Sequence, residues 1–149
     1  MIKQIEEIRR RKSKYNQKLN EAATANELKK FNIESQKSLG YFFPDDYLMT
    51  LKMINGLEYN GSILYGIDES LLEVESNQRI TGAIHTNLEW YELEENCSYI
   101  FLGEDELSWY VLDKRDGTYR MMSKPSADYL EEYSAFSNFL DKLLEESLL

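Results

Sequence analysis

Hydrophobic residues recur at helical spacing near both ends of the chain and in strand-like runs between them. The clearest repeat lies near the C-terminus, where apolar side chains at i, i+3, i+4 and i+7 predict an amphipathic helix. Its apolar positions are Phe136, Phe139, Leu140, Leu143 and Leu144. A thinner apolar stripe predicts a mostly solvated helix over residues 2–20. A capping box from Thr24 to Glu27 predicts another helix over about residues 25–38.

The stretch Leu39–Gly66 contains the signals of a helix end, a short helix and a tight hairpin. Gly40 follows the point where a helix would end. Pro44 suits the first turn of the next helix, because the N–H that proline lacks would have no partner there. Asn55-Gly56 tolerates the positive φ at which many helices end. Asn60-Gly61 lies between residues of β type and predicts a two-residue hairpin turn.

The second half of the chain predicts a series of strands. Ser98–Leu102 is an apolar run of strand length, which indicates burial on both faces. Leu107–Asp113 and Thr118–Met122 follow as a second and a third strand. Residues 68–95 carry a weaker pattern, from which we predict only short elements, including a helical turn at Asn87–Tyr91.

Asp116-Gly117 is a turn signal between the last two of these strands. If the turn is of type I′, Asp113 faces Arg120 and Leu112 faces Met121. An opposite-charge pair beside an apolar pair would support this register.

The mixed order of helices and strands predicts an α+β fold with an antiparallel or mixed sheet and helices packed against it. The chain of 149 residues is expected to form a single domain, 1–149, with a proper core. Hydrophobic residues make up 42% of the sequence, which argues against disorder.

The net charge of −10 is unevenly distributed along the sequence. Residues 1–37 carry 10 lysines and arginines against 5 acidic residues, whereas residues 38–149 carry 7 against 22. An acidic body argues against nucleic acid as a partner, because phosphate backbones need a basic surface. It suits a basic protein partner such as a nuclease, and the alternative interpretation of the charge is plain solubility.

Arg9–Lys12 forms a basic run in the predicted N-terminal helix. One interpretation is a contact with nucleic acid or a membrane surface. The other is a helix packed by one narrow face, with its charges in water or facing the acidic body. We favour the second, because a few cations produce weak steering beside a larger acidic field.

Residue types that carry catalysis and bind metals are scarce. Cys97 and His85 are the only cysteine and the only histidine, and no nucleophile motif surrounds either of them. A zinc site takes about four nitrogen or sulfur ligands, so these two residues do not supply one. We therefore expect no enzyme activity, no cofactor and no metal ion. Without a secretory signal or a membrane-length apolar stretch, we expect the chain in the cytoplasm and not at a membrane.

Two acidic groups flank the predicted strand at Tyr99–Leu102. The groups are Glu92, Glu94 and Glu95 before the strand, and Glu104, Asp105 and Glu106 after it. They form one acidic cluster if both loops lie at the same end of the strand, and they remain apart if the loops lie at opposite ends. Trp90 and Tyr91 precede the first group, and aromatic residues beside charges are typical of interface anchors. The alternative is that the aromatic residues are core and the acids are merely solvated. These eight residues are the predicted protein-binding site.

Several motifs resemble the SUKH superfamily, which contains yeast cell-wall-assembly regulators and bacterial immunity proteins that neutralise polymorphic toxins. The N-terminal signature is carried by Ile33-Glu34, Leu39-Gly40, Pro44, Tyr47, Leu51 and Asn55-Gly56. YIFLGEDELSWYVLD and AFSNFLDKLL resemble the strand pair and the final helix of that family. The similarity covers roughly residues 24–146 and leaves residues 1–23, the basic N-terminal helix, outside it.

The resemblance implies an α+β fold and a non-catalytic, protein-binding function. The first hypothesis is an immunity protein that binds a cognate bacterial toxin, a nuclease or a similar enzyme with a basic surface. The alternative is a cytoplasmic scaffold or regulatory module that binds endogenous partners, as the eukaryotic members of the family suggest. The sequence leaves the toxin, the binding face and the oligomeric state open.

Overall fold

The computed structural model describes residues 2–149, in which six strands form one antiparallel sheet with the order β1-β2-β3-β4-β5-β6. The strands are β1 (Leu57–Tyr59), β2 (Ser62–Leu64), β3 (Tyr99–Glu104), β4 (Ser108–Asp113), β5 (Tyr119–Ser123) and β6 (Tyr129–Tyr133). The helices are α1 (Ile2–Ser13), α2 (Ala25–Leu39), α3 (Asp45–Leu51), α4 (Ala83–Trp90) and α5 (Phe136–Leu148). Short 3₁₀ helices cover Glu69–Leu71 and Glu94–Ser98. The predicted single-domain α+β fold is confirmed.

The capping box and the glycine stop of α2 lie where the sequence predicts them. The Thr24 hydroxyl accepts a hydrogen bond from the backbone N–H of Glu27, whose carboxylate accepts one from the backbone N–H of Thr24. These reciprocal bonds satisfy N–H groups that have no partner inside the helix. Gly40 ends α2 with a φ of 67°. Pro44 precedes α3 as its N-cap residue, one position earlier than predicted.

The N-terminal helix is shorter than its predicted span of residues 2–20 and ends at Ser13. Asn16 adopts a φ of 57°, and the backbone N–H of Gln17 bonds to the carbonyl of Lys12. This left-handed residue followed by a bond back to the last turn is a common helix stop. Leu19 is buried in the core beyond that stop, so it packs from an irregular segment and not from a helical stripe.

The basic run of α1 is largely compensated inside its own helix. Arg10 and Arg11 both bond to the carboxylate of Glu7, and Arg11 also donates to the carbonyl of Leu148 in α5. Lys12 is buried, with its ammonium 5.7 Å from the centre of the Tyr59 ring. These contacts favour the structural interpretation of the run.

The Asn60-Gly61 hairpin is confirmed, with φ values of 49° and 81° and with Tyr59 opposite Ser62. Both central residues have positive φ, as a type I′ turn requires.

The predicted register around Asp116-Gly117 is wrong. Leu112 lies opposite Tyr119 and Val111 lies opposite Arg120, which is a shift of two residues from the prediction. The Asp113 carboxylate accepts a hydrogen bond from the backbone N–H of Arg115, so the chain begins to turn at Asp113 and the loop is longer than two residues. A shift of two keeps every side chain on its predicted face, and the Arg120–Asp113 ion pair still forms diagonally, at 3.2 Å.

The C-terminal helix covers one face of the sheet with the apolar positions that the sequence predicts. Phe139 is fully buried, and its ring contacts those of Tyr110, Tyr119 and Tyr133 from three neighbouring strands. Burial of each such side chain contributes about 1.5–3 kcal/mol. On the opposite face, Trp90 at the end of α4 packs against Phe101 and Trp109.

Candidate protein-binding surface

Helix α4 is held at three points, and it positions the segment that follows it. The Asp68 carboxylate accepts hydrogen bonds from the backbone N–H groups of Ile84 and His85 at the start of the helix. Asn87 bonds to β3 in the middle of the helix. After the last turn, the Tyr91 hydroxyl donates to the carbonyl of Tyr99. These bonds hold the end of α4 in place, so the segment that follows begins from a fixed position.

The two acidic groups lie at opposite ends of β3. Glu94 and Glu95 belong to the short 3₁₀ helix that enters the strand, whereas Glu104 is the last residue of the strand. Six strand residues span roughly 17 Å, since each step adds about 3.3 Å. The groups do not form one acidic cluster, and the second of the two alternatives left open by the sequence is the one observed.

The group at the end of β3 is engaged in contacts within the fold. Glu104 forms an ion pair with Lys124 at 2.9 Å. The Asp105 carboxylate accepts hydrogen bonds from the Tyr110 hydroxyl and the Leu107 backbone N–H, both at 3.0 Å. Glu106 is exposed beside the β1–β2 hairpin. Glu104 and Asp105 thus stabilise the β3–β4 connection, and Lys124 compensates the charge of Glu104.

The group before β3 is different, because its charges are free. The carboxylates of Glu92, Glu94 and Glu95 are exposed and form no hydrogen bond or ion pair within residues 2–149. Leu93 lies between them with 57% of its surface exposed. We call these four residues the 92–95 surface. An apolar side chain surrounded by unpaired acids can both bury area against a partner and attract a basic one.

Contacts on two sides fix the 92–95 surface. The side-chain amide of Asn96 donates to the carbonyl of Trp90 at 3.0 Å. The Lys114 ammonium donates to the carbonyl of Cys97 at 3.1 Å and lies 4.9 Å from the centre of the Tyr91 ring. Burial raises the pKa of the Tyr91 hydroxyl above its ordinary value, which already keeps this donor neutral at physiological pH. Such pre-ordering lowers the entropy cost of binding.

Trp90 packs against the sheet, which favours the core interpretation for this residue. Its ring centre is 5.3 Å from that of Trp109 and 5.9 Å from that of Phe101. Tyr91 likewise anchors α4 to β3 through its hydroxyl. Both aromatic residues directly precede the 92–95 surface and are only partly accessible.

A partly buried polar network lies beyond Trp109 on the same face of the sheet, and of its members the sequence predicted only the pair of Asp113 and Arg120. The Asp113 carboxylate, 1% exposed, accepts hydrogen bonds from the guanidinium groups of Arg115 and Arg120. Arg115 also donates to the hydroxyls of Tyr99 and Tyr129. These bonds, above all those from Arg115, lower the pKa of Asp113 to about 2. The Arg115 side chain is 58% exposed, whereas Asp113 and Arg120 are buried, so removal of either arginine would leave a buried carboxylate with fewer partners.

His85 and Cys97 do not form a nucleophile–base pair in the described part of the chain. The His85 imidazole contacts Glu89 at 2.8 Å, and the Cys97 sulfur lies 3.8 Å from the carbonyl of Tyr91. Residues 2–149 contain no group of three or more His, Cys, Asp or Glu residues that could hold a metal ion. None of the helices in this range combines the length and apolar character needed to cross a membrane.

The chain matches no protein-family model and none of the curated proteins. Its relationship to the SUKH superfamily therefore rests on the motifs in the sequence and remains a prediction.

Proposed function

We propose that this chain is a non-catalytic, cytoplasmic immunity protein that binds a cognate bacterial toxin, a nuclease or a similar basic enzyme, and occludes its active site. The observation that carries the proposal is the 92–95 surface, where three unpaired carboxylates surround an exposed leucine on a fixed helix end. Residues 38–149 add a broad acidic field around it.

Charge and apolar area have different tasks in such a complex. An acidic surface accelerates the encounter with a basic active-site cleft, since opposite fields steer diffusion. Leu93 and the apolar area around it would then determine how long the complex lasts, because affinity differences lie mostly in the dissociation rate. The same acids would occupy the position of the phosphates that a nuclease binds.

Four of the SUKH-like motif residues have structural roles, which agrees with a shared fold more than with a shared partner. Tyr47 and Leu51 are fully buried in the core. Gly40 and Gly56 both adopt positive φ, where glycine is favoured. Partner choice would then depend on surfaces outside the motif, such as the 92–95 surface.

Co-purification from the native cell tests the proposal. A tagged chain should recover a toxin domain encoded by a neighbouring gene. A variant with Glu92→Gln, Leu93→Ser, Glu94→Gln and Glu95→Gln should recover much less, although it folds. A matched control carries the same number of substitutions at exposed positions elsewhere: Glu21→Gln, Glu75→Gln, Glu145→Gln and Val74→Ser.

A cytoplasmic scaffold or regulatory module is the alternative function. Capture of endogenous signalling or housekeeping proteins, with no toxin encoded nearby, would favour it. Equal recovery of the toxin by both variants would keep the immunity function and remove the 92–95 surface from the interface.

A further inference from the structure

The outer edges of the sheet differ in whether side chains satisfy their backbone groups. The edge at β1 is satisfied in this way and is therefore blocked. The outward backbone N–H and carbonyl of Glu58 both bond to the side-chain amide of Gln78, at 3.2 and 2.9 Å. Gln78 is itself fixed by Asn20, whose side chain accepts from its backbone N–H. One amide thus takes the place of a seventh strand, and no partner can pair there without displacing it.

The part of β3 that extends past β2 is blocked in the same way. The backbone N–H and carbonyl of Phe101 bond to the side-chain amide of Asn87, at 2.7 and 2.9 Å. The carbonyl of Tyr99 accepts from the Tyr91 hydroxyl. Side chains of α4 and its following turn therefore satisfy this second edge.

The outer edge of β6 carries no such block. Among residues 2–149, no side chain or loop bonds to the backbone groups of Tyr129–Tyr133 that point away from β5. The strand is also accessible, with Tyr129 45% and Leu130 51% exposed. An open edge presents ready-made donors and acceptors to an extended segment from another protein.

We propose that the β6 edge is a docking site for an extended, basic segment of a partner protein, which adds a seventh strand to the sheet. The inference rests on the proposed function for the identity of that partner as the toxin. Its chemistry follows from Glu131 and Glu132, whose side chains are 47% and 58% exposed on opposite faces of β6. Glu132 pairs with Arg120 and Glu131 lies 3.9 Å from Lys142, but Arg120 also pairs with Asp113 and Asp116, and Lys142 also pairs with Glu146. Acidic groups therefore outnumber basic ones beside each carboxylate. Lysines or arginines on either face of an incoming strand would lie beside them.

A second copy of this chain is a poor occupant of the same edge. Antiparallel pairing of two β6 strands about their centre would bring Glu131 and Glu132 of one copy close to those of the other. Like charges opposite each other destabilise a strand pair. The acidic edge therefore discourages self-association and selects a basic partner.

A peptide probe tests the edge independently of any toxin. A capped peptide of alternating lysine and valine is titrated into the isotope-labelled chain and followed by NMR. The amide signals of residues 129–133 should shift, their hydrogen exchange should slow, and added salt should weaken the effect. The same peptide with every backbone nitrogen methylated, and a peptide with glutamate in place of lysine, should leave these signals unchanged. No change at residues 129–133, or equal changes with the methylated peptide, would overturn the inference.

Hydrogen exchange on the toxin complex separates this inference from the proposed function. Protection of the β6 amides in the complex would support strand addition by the toxin. A stable complex with unchanged exchange at β6 would overturn strand addition and leave the immunity function standing. A chain that captures no toxin but pairs with the lysine–valine peptide would remove the immunity function and support the basic-strand edge.

Discussion

The side-chain amide of Asn87 satisfies both the N–H and the carbonyl of Phe101, as a neighbouring strand would. Asn87 is fully buried, so these bonds are shielded from water. They join α4 to β3 at the point where β2 no longer covers the strand. The 92–95 surface begins directly after this helix, which makes Asn87 the link between the core and the candidate interface.

Replacing Asn87 should therefore destabilise the whole domain. Asn87→Ala leaves two buried backbone groups without partners, each at a cost of about 1–3 kcal/mol. We expect a loss of about 2–5 kcal/mol in the free energy of unfolding, measured by urea denaturation. Leu88→Ala is the matched control, because Leu88 is the next residue of the same helix and 44% exposed. A loss in the control as large as that in Asn87→Ala would show that the amide is not the cause.

Phe139 should be the most costly single truncation in α5. It is fully buried and contacts aromatic rings from three strands. Phe139→Ala should lower the free energy of unfolding by about 3–5 kcal/mol, as truncation of a buried phenylalanine does. Asn138→Ala, at an exposed position beside it, should change the melting temperature little. Equal melting temperatures for both variants would contradict the packing described for this face.

Asp113 should make the domain sensitive to acid. Its pKa of about 2 in the folded state lies below the value of about 3.9 expected when unfolded. The ionised carboxylate thus contributes stability that is fully present above pH ~4 and is lost as the pH falls through ~2. The difference in unfolding free energy between the wild type and Asp113→Asn should shrink by about 2 kcal/mol from pH 5 to pH 2.

The wild type and Asp113→Asn share all other carboxylates, so the contribution of those groups to the pH dependence cancels in the difference between the two unfolding free energies. A difference that stays constant with pH would mean that Arg115 and Arg120 do not stabilise the ionised form of Asp113.

Neutralising the 92–95 surface should slow association with the toxin and leave folding intact. The triple variant Glu92→Gln, Glu94→Gln and Glu95→Gln removes three free charges, and solvated charges contribute little to stability. Stopped-flow association at two salt concentrations should show a lower rate and a weaker salt dependence than in the wild type. The control triple Glu21→Gln, Glu75→Gln and Glu145→Gln removes the same net charge elsewhere. Equal association rates for the two triple variants would mean that net charge alone, and not the 92–95 surface, controls association.

Glu104 and Asp105 should behave differently from the 92–95 surface. Their side chains bond to Lys124, Tyr110 and Leu107. Glu104→Gln and Asp105→Asn together should lower the melting temperature, because they weaken the β3–β4 connection, and should affect the association rate less than the triple variant does. Calorimetry and stopped-flow measurements on the same preparations would compare the two effects.

The sequence was sufficient to predict the conformation wherever residues close together in the chain determine it. The Thr24 capping box, the Gly40 stop and the Asn60-Gly61 turn involve only residues a few positions apart, and each forms as predicted. The prediction of the buried face of α5 is also correct, because the apolar residues repeat regularly over the whole helix.

Predictions failed where one polar side chain or a distant contact determined the outcome. Asn16 adopts the left-handed conformation and ends α1, although the apolar stripe continues beyond it. The Asp113 carboxylate moves the start of the β4–β5 turn. β6 was not predicted at all, since its sequence YLEEY shows no clear alternation of apolar and polar residues. The two acidic groups precede and follow β3, so the predicted strand alone was enough to separate them.

The proposed immunity function is tested most directly on a purified toxin domain from a neighbouring gene. Its activity is measured while the chain is titrated from below to above equimolar concentration. We expect that activity falls to zero near one chain per toxin and that the inhibition needs no cofactor or metal beyond those of the toxin. Full toxin activity in the presence of excess chain would contradict the central claim that this protein acts by binding and occluding a toxin.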